Sequence, residues 1–528
     1  MWSPCGRFAI TYNGELYNDA ELRRDLASHG VDFRTGSDTE TVLRALMLWG
    51  EAARGRLRGM YAFVFVDGHR RCALAGRDEL GIKPLCVARA TDGATVLASE
   101  PRAAASAAGL VPEMDTLAAA HYLVSIRTTL DRRTLLDGVQ TLRPGEWIAF
   151  DDGLCARSID GPSRSSTGTT TVDDVRAAVE DSVRRHLRAD ASVAAMLSGG
   201  LDSTIIAALA VRELGTLDTS CAGDASDIDA PGTDFALARL ASAQLGTTHH
   251  EVAVSREGFG LAIPRLIDRL GTPLGTPNEV AIAAVAARVA KAGHKVLLSG
   301  EGADELFGGY ESTLAAGARS LRPRSLVDDA LHFWLHEHAW VPADVLPEVL
   351  RHADEGTVEA LRGEVRRVIA PLADGASPMR LTLAYQRRVN LEGLLRRLDS
   401  STMAHAVEGR TPLADSELIR VADGLPDGLL FDGRRGKVAL REAFKDIVPA
   451  EVVERPKASF PLPIDRWAQG VAGVLRESAW AADVFGPRAL EHALSNDPTA
   501  WRLAWPMANL THWAHAMGMA QEHRREAA

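Results

Sequence analysis

No apolar run in this sequence reaches the ~18 residues that a membrane-crossing helix needs. Its start, Met1-Trp2-Ser3-Pro4-Cys5-Gly6-Arg7, lacks the charged and apolar regions of a signal peptide. Cysteine is scarce. Cys5, Cys72, Cys86, Cys155 and Cys221 are odd in number and show no CxxC spacing, which argues against a disulfide framework and against a zinc site. Such usage suits a reducing compartment, so the expectation is a cytoplasmic protein. No block of Lys and Arg stands out either, and the formal net charge is -11. A nucleic acid or an anionic membrane would want a concentrated basic face, so neither is expected as a partner. The nearest candidates are Arg184-Arg185 with Arg188, and Arg396-Arg397. Both fall in helical patterns, where a solvated face is the expectation.

What is present is a globular balance of 46% hydrophobic and 24% charged residues in 528 positions, too many for one ordinary core. Residues 7–16 alternate and run into Asn13-Gly14, a strand followed by a tight turn. Residues 19–29 and 38–49 read as helices, the second opening at Ser37-Asp38-Thr39-Glu40. Strand character returns over residues 60–67 and from Val87, so the chain is mixed α and β to about residue 158. Gly161 to Thr171 has no large apolar residue and reads as a linker. Thr171 can cap a helix with Asp174 in the capping-box place, ahead of a stripe at Val175, Val179, Val183 and Leu187. Short apolar strands then alternate with long Ala- and Leu-rich helices, the pattern of an α/β layer fold with a parallel sheet. From about residue 312 the pattern is almost wholly helical.

The strongest local signal is the apolar stretch 192–197 followed by Ser198-Gly199-Gly200-Leu201-Asp202-Ser203-Thr204 and an apolar helix. A strand that breaks into small residues and reopens as a helix aims backbone N–H groups and the positive helix end at one point, where phosphate oxygens bind. The stretch lacks the Gly-Lys-Ser/Thr ending of a Walker A loop. It resembles the pyrophosphate loop of ATP pyrophosphatases, which split ATP between its α and β phosphates. Asp202 beside a triphosphate calls for a cation, so magnesium is expected. A second strand, Lys295 to Leu298, ends in Ser299-Gly300-Glu301-Gly302-Ala303-Asp304-Glu305, three acids within five positions. Acids so crowded need a metal, a cationic partner or a shifted protonation state. A third stretch, Arg455-Pro456-Lys457, gains interest beside Lys437 and the run 440–444.

These three stretches in this order resemble the synthetase domain of the asparagine synthetase family. Asp399, Met403-Ala404-His405 and the segment Glu408 to Asp415 are similar to its helical signature. Residues 12–18, 37–40, 57–63 and 77–85 are similar to the same family's glutaminase domain. The resemblance runs from Trp2 to about Trp513. It implies an α/β protein: a partial Ntn-hydrolase-like α+β glutaminase domain (1–158, a truncated type 2 glutamine amidotransferase), a linker (159–171), and an α/β ATP-pyrophosphatase domain with a helical C-terminal part (172–528). By that resemblance Ser198, Gly199, Gly200, Asp202, Ser203 and Thr204 hold the phosphates of ATP, with Leu197, Ala222, Ser299 and Gly300 near the adenosine. Asp202 and Asp304 share magnesium. Glu301 serves in forming and aminating an acyl-adenylate, and Lys457 stabilises the departing charge. Asn13, Gly14 and Asp38 match positions that hold glutamine. The implied activity is ATP-dependent conversion of aspartate to asparagine with nitrogen from glutamine or ammonia, releasing AMP and pyrophosphate. The partners are small molecules, with a homodimer open as an assembly.

The family's glutaminase domain begins with a Cys nucleophile, and here the first residues already match the middle of that domain. Cys5 precedes a strand belonging to a different part of the domain, so it is not expected to replace the nucleophile. Two readings follow: a segment upstream of Met1, favoured by the retention of Asn13-Gly14-Glu15 and Ser37-Asp38-Thr39, or a chain that takes free ammonia. Gly409 and Thr411 around Glu408, Ala414 before Asp415, and Ser459-Phe460-Pro461 also depart from the family. They leave open the amidation or cyclisation of another carboxylate in specialised metabolism. The β-lactam-forming relatives carry Tyr where this chain has Glu301, and lasso-peptide cyclases diverge more in the glutaminase motifs. A non-catalytic homologue is disfavoured by the intact Asp202, Glu301, Asp304 and Lys457.

Overall fold

The computed structural model describes residues 1–151, 156–159, 169–455 and 462–520. The first two sheets are antiparallel. One has the order β1-β2-β3-β9-β10, made of β1 (Phe8–Leu16), β2 (Gly59–Asp67), β3 (Cys72–Arg77), β9 (Trp147–Phe150) and β10 (Ala156–Ile159). Its inward alternation places Ile10, Phe63 and Trp147 against Leu43 and Leu46 of the helix Asp38–Trp49. The other, β5-β4-β8-β7-β6, joins β4 (Cys86–Arg89), β5 (Thr95–Ala98), β6 (Thr129–Leu130), β7 (Arg133–Thr134) and β8 (Val139–Thr141).

The third sheet is parallel throughout: β11 (Val193–Met196), β12 (Asp218–Asp224), β13 (Thr248–Val254), β14 (Val296–Leu298) and β15 (Glu408–Arg410) stand in the order β13-β12-β11-β14-β15. The chain moves outward from β11 to β13, then crosses to the far side of β11 for β14. That reversal opens a crevice at the carboxyl ends of β11 and β14, where open α/β sheets bind ligands. The loops after these two strands are the small-residue segments singled out from the sequence. β15 is the exception to the helical pattern of the last third. Three residues give no period to read, and their strand character comes from pairing with β14.

The helix Val172–His186 starts as its sequence predicts. Thr171 Oγ1 accepts from the Asp174 amide, and the Asp174 carboxylate accepts from the Thr171 amide. Val175, Val179 and Val183 are fully buried in the core beneath β11. The linker expected before Thr171 lies mostly outside the described residues.

Charged side chains tie the amino-terminal sheets to the parallel-sheet half. Lys83 donates to Asp399 at 2.6 Å, Arg77 to Glu392 at 3.0 Å, and Arg58 to Asp415 at 2.8 Å. Lys83 and Arg77 are buried, and each would be costly there without its acid. Arg77 also donates to the carbonyls of Gly81 and Lys83, so it holds the turn that delivers Lys83.

A fourth contact joins Glu15 of β1 to Arg410 of β15 at 3.2 Å, with Glu408 also on Arg410 at 2.6 Å. Burial first, and the nearby Glu408 charge second, push the Glu15 carboxyl up to about 7 despite Arg410. The folded chain thus keeps a proton that the unfolded chain gives up, and this group lowers stability progressively as pH rises from about 4.5 to 7. Glu15→Gln should therefore gain in melting temperature over the parent at pH 8 and match it near pH 4.5. A melting difference that does not change with pH would contradict the shift.

Candidate functional site

The loop after β11 is built by its own hydroxyls. The Ser198 amide donates to Ser203 Oγ at 3.2 Å, and Ser203 Oγ and Thr204 Oγ1 donate to the Gly200 carbonyl at 3.2 and 2.8 Å. Gly200 caps the helix Leu201–Leu214 with no side chain bonded to its first amides. Free first amides and the positive end of a helix dipole are an arrangement that suits an anion. Ser198, Gly200, Asp202, Ser203, Ser299 and Gly300 line one cavity of about 320 Å³. The other predicted nucleotide positions do not line it. Leu197 and Ala222 are buried in the core, Thr204 is buried under the loop, and Gly199 turns with φ of 68° against Leu237.

Glu301 and Asp304 line the same cavity from the loop after β14, so two loops about a hundred positions apart in sequence meet at the crevice. Between them stands Lys437, whose Nζ lies 2.6 Å from Asp202 Oδ2 and 2.5 Å from Asp304 Oδ1. Lys437 is buried and in a left-handed conformation, φ 56° and ψ 34°. A non-glycine residue held there is under backbone strain of about 1–3 kcal/mol, of the kind that collects at functional sites. Gly309 makes the arrangement possible: a Cβ there would stand 1.8 Å from Asp304 Oδ1 and 2.2 Å from Lys437 Cε. Glu305, behind Asp304, accepts from Tyr310 Oη at 2.6 Å. Burial, then Asp304, push its carboxyl up to about 7.

Asp202 Oδ1 is buried and has no hydrogen-bond partner among the described residues. Such an oxygen, on an acid that shares Lys437 with Asp304, fits a cation. Among the described residues no three His, Cys, Asp or Glu are grouped to hold a metal alone. A magnesium ion here would draw its remaining ligands from phosphate oxygens and water, as this ion does elsewhere.

Glu301 pairs with Arg397, whose other donor reaches Thr276 Oγ1 at 2.6 Å. This corrects the expectation of a solvated face for Arg396-Arg397. Arg396 is buried and Arg397 half-buried on the helix Glu392–Met403, which packs against the helix Asn278–Lys291. The pattern of charge along that helix cannot tell a polar face in water from one turned into a polar cavity. Arg184 and Arg188 are exposed, as expected, but Arg185 is half-buried and pairs with Glu21 and Asp181. Lys457 lies outside the described residues, whereas Arg455 lines the cavity and pairs with Asp234 at 2.8 Å.

In the amino-terminal half, Asn13 and Gly14 sit inside β1 opposite Ala62 and Tyr61, and not in the tight turn expected from the sequence. Asp38 Oδ2 accepts from the Leu16 amide at 3.0 Å and Tyr12 Oη at 3.1 Å, so it flanks that pair from the start of the next helix but one. Burial pushes the Asp38 carboxyl up, against the pull of those two donors. Cys5 lies in the turn before Phe8, at the other end of β1. The Ser3 hydroxyl, then the Arg7 amide, hold its thiol below the usual range. Gly14 is six residues along the strand from Phe8, about 20 Å. The structure brings Asn13, Gly14 and Asp38 together and leaves Cys5 apart.

Residues 174–515 match the asparagine synthase family, and residues 1–158 match a glutamine amidotransferase domain. A Mycobacterium tuberculosis protein is 34% identical over 524 residues, covering 91% of this chain and 79% of its own length. Asparagine synthetase (glutamine-hydrolyzing) 1 of Bacillus subtilis is 29% identical, covering 89% of this chain and 79% of its own. Asparagine synthetase B (glutamine-hydrolyzing) of Escherichia coli is 28% identical, covering 85% and 69%.

Removing the ammonium between two buried carboxylates should be severe. Lys437→Met should cost about 3 kcal/mol or more of stability, and millimolar magnesium should recover part of the lost melting temperature. Recovery should disappear when Asp202→Asn is added. An unchanged melting temperature, or one insensitive to magnesium, would show that the two acids do not form a cation site.

Proposed function

The chain belongs to the asparagine synthase family, and from that premise we propose that it makes an amide from a carboxylate, ATP and ammonia, with aspartate giving asparagine through an acyl-adenylate. The observation that carries this reading is that Glu301 and the phosphate-type loop open onto one cavity. The carboxylate oxygen attacks the α-phosphorus, and the bond from that phosphorus to the β-phosphate oxygen breaks. Charge gathers on the departing pyrophosphate, where the amides of Asp202 and Ser203 and the Lys437 ammonium face it. Magnesium, when bound, adds positive charge opposite the pyrophosphate, and Asp202 and Asp304 are the residues that would hold it. Lys457 is proposed for the same charge. Ser299 and Gly300 line the adenosine side, and Leu197, Gly199, Thr204 and Ala222 shape the loop from beneath.

Ammonia then attacks the acyl carbon, the carbon–oxygen bond to AMP breaks, and one proton is released. Glu301 accepts that proton, held toward the cavity by Arg397. Asn13, Gly14 and Asp38 are proposed to hold glutamine as a source of ammonia. The site is proposed to work in the cytoplasm. No described helix is long and apolar enough to cross a membrane.

With ATP, magnesium, aspartate and an ammonium salt, the protein should release AMP and pyrophosphate in step with a new amide. ADP and phosphate would rule out adenylation. Glu301→Gln should lower amide formation by about 10²–10⁴-fold, and full activity would remove Glu301 from the reaction. Cys5→Ala should leave both ammonia-dependent and glutamine-dependent turnover unchanged. Glutamine-dependent turnover that Cys5→Ala abolishes would make Cys5 the nucleophile.

A further inference from the structure

Arg127 follows the helix Thr116–Ser125 and Ile126, whose left-handed φ of 53° turns the chain sharply. Although it belongs to the amino-terminal half in sequence, it lines the cavity that holds Glu301 and the phosphate-type loop. Its guanidinium lies on the helix Glu392–Met403 directly over Gly393. A Cβ at 393 would stand 2.6 Å from Arg127 Cδ and 3.2 Å from its Nε. Arg397, one turn further along that helix, spends its charge on Glu301.

Arg127 has no such partner. Its Nε is buried with no hydrogen-bond acceptor, and among the described residues it makes no ion pair. The groups acting on it most are Arg397, of like sign, the Tyr310 hydroxyl, and the acids Glu305 and Glu279. Burial raises the pKa of both acids, and Glu279 already accepts from the amides of Gly275 and Thr276. Burial and Arg397 together hold the Arg127 guanidinium below its usual range. A desolvated guanidinium without an anion is a standing cost that a ligand carboxylate would offset with two parallel hydrogen bonds. Arg127 lies on Gly393, one turn from the Arg397 that pairs with Glu301, so it belongs to the Glu301 end of the cavity.

We propose that Arg127 binds the carboxylate of the acceptor that is not activated, so the site selects a dicarboxylic amino acid of the aspartate type. This rests on reading the cavity as the adenylation site, and it assigns acceptor choice to a residue outside the synthase half. Gly393 is the bed that lets the guanidinium lie in place.

The test compares aspartate with β-alanine, which is aspartate without its α-carboxylate, measuring pyrophosphate release at saturating ATP, magnesium and ammonium. The parent protein should prefer aspartate by about 10⁴-fold in kcat/KM, as a site built around a buried polar group does. Arg127→Ala should raise the KM for aspartate by about 10²-fold, leave the KM for ATP within about twofold, and collapse the preference. Arg127→Lys should fall between. Gly393→Ala keeps the charge but lifts the guanidinium, so it should also erode the preference, independently of how well Arg127→Ala folds. An unchanged aspartate to β-alanine ratio in Arg127→Ala and Gly393→Ala would overturn the proposal. A rise in the KM for ATP instead would assign Arg127 to phosphate and overturn it too. No pyrophosphate from the parent with aspartate would overturn the adenylation reading and this proposal together.

Discussion

Lys437 holds its ammonium between Asp202 and Asp304, at a depth where two carboxylates could not stand side by side without it. Each partner comes from a different part of the chain: the loop after β11, the loop after β14, and a strained turn far along the helical region. The parallel sheet supplies the reason they meet, because the chain reverses direction across β11 and leaves both loops at one crevice. The rest of the site is arranged around this contact. Gly309 gives up a side chain so that Asp304 and Lys437 can touch, and the loop hydroxyls hold Ser198 to Thr204 open with their amides outward.

The same constraint of buried charge organises the contact between halves. Lys83 with Asp399, Arg77 with Glu392, and Arg58 with Asp415 tie the amino-terminal half to the parallel-sheet half, the first two pairs buried and Arg58 half-buried. Such pairs add little net stability over apolar packing, but losing one member is costly, so they specify the register of the two halves. Through that register Arg127, carried by the first half, reaches the cavity of the second. Glu15 on Arg410 brings the strand bearing Asn13 and Gly14 to the edge strand β15.

Much of this was legible in the sequence for a physical reason. A strand ending in Ser-Gly-Gly, or in Ser-Gly-Glu-Gly, can do little besides turn and expose amides or acids, so the two loops declared themselves locally. Thr171 and Asp174 declared a helix start in the same way. The third member of the site did not. Lys437 has no local mark beyond a neighbouring run, and its role arises from contacts across more than a hundred residues. Arg396 and Arg397 were misread because an amphipathic helix shows that one face is polar, not whether that face meets water or a polar cavity. β15 was hidden because three residues carry no period. Lys457, prominent in the sequence, falls outside the described residues.

In the proposed reaction one cavity first joins the acceptor carboxylate to the α-phosphorus of ATP and then passes its carbon to ammonia. Aspartate labelled with ¹⁸O in the side-chain carboxylate tests this directly, read by mass spectrometry of the nucleotide product. If the acyl-adenylate forms, one labelled oxygen leaves with AMP for each amide made. Label found in inorganic phosphate, or AMP carrying none, would contradict the account.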